Sequence, residues 1–138
     1  MSGRLLNSAE ELRAAMTAAR TLAVIGLKAS GPAWSVPAYM RRQGYSTVAV
    51  NPNYTQVGDL ETVPTVLELG EPIDMVVIFR RAEFIDDHAT EILGMDPLPA
   101  VVWMQLGIRN DPAAQRLLEA GIDVVQDRCL AIEHPRLM

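Results

Sequence analysis

Three places in the chain set cationic or amide side chains beside small residues, a combination suited to a phosphate-bearing ligand. The first is GLKASGPAWS, residues 26–35. Gly26 permits a tight exit from an apolar run, Ala29 and Gly31 let backbone come close to a ligand, and Lys28 adds a mobile charge. Ser35 can cap the following helix, whose free N–H groups and positive dipole end favour an anion. The second place is Phe79-Arg80-Arg81, where an aromatic ring for a purine stands beside two guanidinium forks that match phosphate. The third is WMQLGIRN, residues 103–110, in which Gln105 can read a base or an amide and Gly107 leaves room for one. Residue types alone leave open an ordinary strand-to-helix turn with solvated charges.

Other chemistry is poorly provided for. A dinucleotide site of the G-x-G-x-x-G kind needs a second glycine where Lys28 stands. It also needs an acid at the end of the second strand to hold the adenosine ribose, where this chain has Val50-Asn51-Pro52. NAD is therefore disfavoured, and no arginine follows the second strand to favour NADP. Cys129 and His134 are the residues for a nucleophile pair, which requires that the fold bring them together. An NAD(P)-linked enzyme or an acyl-CoA-using one with Cys129 or His134 stands as one alternative to a binding protein, and an interaction domain with a vestigial nucleotide pocket as the other. His88 lies at helical spacing with apolar residues and reads as a core or boundary histidine. No CxxC, HExxH or clustered His/Cys pattern points to a metal.

These residues need a scaffold that gathers them. A helix over about 8–19 is announced by the capping-box pair Ser8 and Glu11. Apolar runs at LAVIG, STVAV, DMVVIF, AVVWMQ and IDVVQ predict five strands, the first of them apolar throughout and so buried on both faces. Between them the spacing predicts helices at about 35–43, ended by Gly44, at about 62–69, from about Arg81, and from Asn110–Asp111 to Gly121. Such alternation gives an α/β protein, a Rossmann-like three-layer α/β/α domain on a parallel sheet. The simplest order for five strands is 3-2-1-4-5, with one domain over 1–138. Ligands in such sheets bind beyond the carboxyl ends of the strands, beside the point where strand order reverses. All the loops singled out above lie at that edge.

The 138 residues are 49% apolar and 21% charged, with a formal net charge of −5. That balance opposes nucleic acid as a partner, because a phosphate backbone calls for a basic stripe. No apolar run approaches a membrane span, and the N-terminus has no signal-peptide pattern. A single cysteine fits a cytoplasmic location.

The segments AVIGL, GYSTVAVNPNY, PIDMVVIFRR, VVWMQLGI and AGIDVVQDRCLAIEH together resemble the small stand-alone CoA-binding protein family. These are bacterial relatives of the CoA-binding domain in the succinyl-CoA synthetase α subunit, and the resemblance runs from about Arg13 to Leu137. It implies a Rossmann-like fold that binds coenzyme A. On this chain the pyrophosphate would meet backbone at Gly26, Leu27, Lys28 and Ala29 and the helix start at Ser35 and Val36. Asn51, Pro52 and Asn53 would border the nucleotide, and Phe79, Arg80 and Arg81 would flank the adenine and a phosphate. The serine and arginine common in relatives' first loop are absent, which leaves Lys28 to supply charge there. The synthetases' phosphohistidine segment and nucleotide-grasp domain are absent too, so the resemblance implies binding without catalysis.

Overall fold

The structure, a computed structural model, describes residues 2–138. Seven strands form one sheet: β1 (Thr21–Ile25), β2 (Ser46–Val50), β3 (Gln56–Val57), β4 (Leu60–Val63), β5 (Met75–Ile78), β6 (Val101–Met104) and β7 (Asp123–Val125). Their order is β3-β4-β2-β1-β5-β6-β7, and every pairing is parallel except the short β3–β4 hairpin. Five helices cover it: α1 (Ala9–Ala18), α2 (Pro32–Arg42), α3 (Ile85–Leu93), α4 (Asp111–Glu119) and α5 (Leu130–Leu137).

Strand period two divides the core between the sheet's faces. Leu22, Val24, Met75, Val77 and Trp103 pack with Leu12 and Met16 of α1, Met40 of α2 and Leu130 of α5. Ala23, Ile25, Val76, Ile78 and Met104 face the other way, onto Ile85 and Ile92 of α3 and Leu117 of α4. The three-layer Rossmann-like class is thus as expected.

The strand count and order are not. Residues 62–69, expected as a helix, are the end of β4 followed by a 3-10 turn at Val66–Glu68. Pro64 explains the difference, because the residue before a proline is pushed out of helical geometry. Val63 is accordingly extended and pairs with Val50. With β4 outside β2, DMVVIF becomes the fourth parallel strand and crosses to β1's other side. The order reverses between β1 and β5, not between β1 and the AVVWMQ strand.

Two helix ends also differ. Helix α2 begins at Pro32 behind Gly31, so Ser35 lies inside the helix and caps nothing. Proline at the first helical position lacks only an N–H that would be unpaired there. The DRCLAIEHPRLM tail, read without an element of its own, forms α5 despite Pro135. At the opposite end of the chain, residues 3–6 run beside β7. Gly3 donates to Leu118 O, Leu5 bridges Val124, and the Arg4 N–H donates to Asp123 Oδ1 at 2.8 Å. Among the described residues no helix is long and apolar enough to cross a membrane.

Candidate cofactor-binding cleft

The cleft begins where β1 and β5 end side by side. Gly26 has φ +88°, and a Cβ on it would lie 2.8 Å from Phe79 O and 3.3 Å from Arg80 Cδ. Only glycine lets the first loop and the FRR segment close to this distance. The second loop is pinned to the first by Asn51, which is buried and donates from Nδ2 to Leu27 O at 3.0 Å. Its Oδ1 accepts from the Asn53 N–H at 2.9 Å, turning the chain just after β2. Asn51 therefore braces the site from a position that also lines its first cavity. With no acid in this turn, the grip on a ribose that a dinucleotide site would use is missing.

Two adjoining cavities open here, and Lys28 and Phe79 line both. The first, about 600 Å³, is bounded by Gly26, Asn51, Asn53, Arg80 and Arg81. Tyr54 and Phe84 add aromatic faces to it that the sequence reading did not single out. Arg80 lays its guanidinium over the Phe84 ring, with Cζ 4.4 Å from the centroid, and its buried Nε has no hydrogen-bond partner. Arg81 is exposed and makes a loose ion pair with Glu83 at 3.7 Å, a contact worth little in water. Lys28 is exposed and takes part in no ion pair among the described residues. Three cations thus gather at one strand edge of a chain whose net charge is negative.

The second cavity, about 570 Å³, has mostly apolar walls. Ala33, Ser35 and Val36 of α2 form one side, Gln105, Leu106 and Ile108 another, and Cys129, Ala131 and Ile132 a third. Gln105 is 3% exposed and its Nε2 has no partner. The loops around it are tied together: Asp127 Oδ1 accepts from the Gly107 N–H at 2.6 Å, and Trp103 Nε1 donates to Arg128 O at 2.8 Å. Asp127 holds φ +58°, which aspartate tolerates better than most residues.

Ten of the fourteen expected residues line one cavity or the other. The Leu27 side chain is in the core, Ala29 and Pro52 are exposed outside the walls, and Gly107 serves the tie to Asp127. The α5 residues were missed with their helix, Tyr54 because a lone aromatic in a loop carries no spacing signal, and Phe84 because its helical spacing with Ile85 and His88 reads as part of a packed helix face. Cys129, weighed from the sequence as half of a nucleophile pair, lines the second cavity from its place a few residues beyond the end of β7.

Cys129 and His134 do not form a pair. His134 Nδ1 is 3.0 Å from the Tyr39 hydroxyl, and its ring lies edge-on to Tyr39 and Tyr45. It lines a separate hollow with Met16 and Tyr45, where burial lowers its pKa. His88 is buried in α3 with Nδ1 3.0 Å from Glu91 Oε1. No group of three His, Cys, Asp or Glu side chains among the described residues could hold a metal ion.

The CoA binding domain family model matches residues 20–135. The chain belongs to the CoA-binding domain family. It is 32% identical over 129 residues to YneT of Bacillus subtilis, covering 92% of this chain and 94% of that one. A Thermus thermophilus protein, cell-free ID.343, superposes with TM-score 0.88 at 42% identity over 96% of this chain and all of its own. A hypothetical protein from Pyrococcus horikoshii OT3 gives TM-score 0.88 at 27% identity, over 99% of this chain and 98% of its own. The CoA-binding family match spans β1 through most of α5, and so takes in every wall of both cavities.

Proposed function

We propose that this protein binds coenzyme A, or an acyl-CoA, along the double cleft and catalyses no turnover by itself. The nucleotide end occupies the cationic cavity, with phosphate near Arg80, Arg81 and Lys28 and the purine near Phe79, Phe84 and Tyr54. The thiol-bearing arm runs along the apolar cavity under Val36 and Ile132. The observation that carries this reading is that Arg80 and Gln105, which line one cavity each, keep buried donors, Nε and Nε2, with no partner in the protein. Leaving a buried donor unpaired costs about 1–3 kcal/mol, a cost that a ligand with acceptors at both ends removes. Coenzyme A has that character, with phosphates at one end and amide carbonyls in its arm.

Titration calorimetry with CoA, 3′-dephospho-CoA, NAD and NADP tests the reading. CoA is expected to bind tightest, dephospho-CoA about 10- to 100-fold more weakly, and NAD weakest. Added salt should weaken CoA more than dephospho-CoA, since the difference between them is charge. NAD binding as tightly as CoA would overturn the reading.

A further inference from the structure

The apolar cavity contains the chain's one cysteine, which packs partly against the core and whose sulfur makes no hydrogen bond among the described residues. Cys129 is the N-cap residue of α5, yet only its carbonyl is committed, accepting from the Ile132 and Glu133 N–H groups. Its side chain makes no capping bond, is half-buried, and lines the same cavity as Gln105. Gln105 is the independent sign of a ligand there: a buried amide with a donor that finds no acceptor in the protein. Leu106 and Ile132, 63% and 53% exposed, extend the apolar wall outward past both residues.

We propose that Cys129 takes the sulfur end of the bound arm as a reversible mixed disulfide. The inference rests on the CoA reading above. Gln105 positions the arm by donating to one of its amide carbonyls, and the walls formed by Leu106 and Ile132 confine the terminal sulfur beside Cys129. The co-reactant is CoA disulfide. The Cys129 thiolate attacks one sulfur of the CoA–CoA bond, a new S–S bond forms to that sulfur, and the old one breaks. The second CoA leaves as a thiolate and takes up the proton that Cys129 lost, so two disulfide sulfurs remain and no further oxidant is needed. Reduced CoA runs the step backwards. His134 is engaged with Tyr39 in a separate hollow and does not serve this thiol, so the product is a stoichiometric adduct.

The test is the rate of adduct formation, read by intact-protein mass, with CoA disulfide and with glutathione disulfide at equal concentration. The native protein is expected to react at least tenfold faster with CoA disulfide, to gain the mass of one CoA less two hydrogens, and to lose it to a dithiol reductant. In urea the two disulfides should react at similar rates. Gln105→Leu should slow the CoA reaction about fivefold, the loss of one hydrogen bond, and leave the glutathione reaction unchanged. Calorimetry of reduced CoA with Cys129→Ser separates the two readings. Normal binding there, with equal rates for the two disulfides on the parent, overturns this inference alone. Absence of binding overturns the CoA reading and this one with it.

Discussion

Arg80 and Arg81 are neighbours in sequence and differ in everything that surrounds them. Arg80 is stacked on Phe84 with a buried, unpartnered Nε, so its fork is already held in place and has a donor to spare. Arg81 is 83% exposed and shares its charge with Glu83. Arg80→Ala should therefore weaken CoA about 10- to 100-fold, and Arg81→Ala only about threefold, by calorimetry. Arg80→Lys should not restore binding, because an ammonium neither stacks on Phe84 nor presents a planar fork. Equal effects of the two alanine variants would show that stacking does not preorganise Arg80. Sequence made this pair visible as cations at a strand end but could not rank them. The ranking comes from a ring four residues on and from Glu83, and spacing says nothing about which of two arginines will be drawn inward. Asn51 shows the same limit, since its type suits a ligand contact while its actual partner is a carbonyl 24 positions away.

At the scale of elements, the junction of β1, β5 and their loops depends on Gly26. Gly26→Ala combines a positive φ with a backbone clash against Phe79 O and should cost about 2–4 kcal/mol in urea denaturation. Gly44→Ala makes a useful control: it has φ +98° with nothing within 4 Å and should cost about 1 kcal/mol. Near-equal costs would mean that the two loops can part without penalty. The strands that run apolar on both faces were all legible, because burial on both sides leaves a continuous signal. β4 was not, since it is a short outer strand with half-wetted side chains, and Val63 at its end with Val66 and Leu69 of the turn that follows mimics a helix. α5 escaped for a different reason. Pro135 interrupts the pattern, and only packing of Leu130 against the sheet and of the helix against α1 and α2 makes the segment helical.

Over the whole molecule, pH should act through His134. Burial holds its pKa below the ordinary value of 6.5, so the unfolded chain binds that proton more readily than the folded one. The stability His134 contributes is complete above about pH 6.5 and is lost as pH falls below it, towards the lowered folded value. In thermal denaturation the parent should lose more Tm between about pH 7 and pH 5 than His134→Gln, whose amide keeps a partner for Tyr39 without titrating. An identical pH slope for the two proteins would contradict this. The N-terminal residues that run beside β7 carry a different consequence. A parallel sheet with a bare outer strand invites a stranger's backbone to join it. Here one flank is closed by residues 3–6, fastened at Leu118, Asp123 and Val124, and the other dwindles to the two-residue β3. Gly3 is what lets the strap lie flat, since a Cβ there would sit 2.0 Å from Ile122 O. Removing the first six residues, or enlarging Gly3, would leave the ligand cleft intact at the far end of the strands and turn β7 into a template for fibril-like self-assembly.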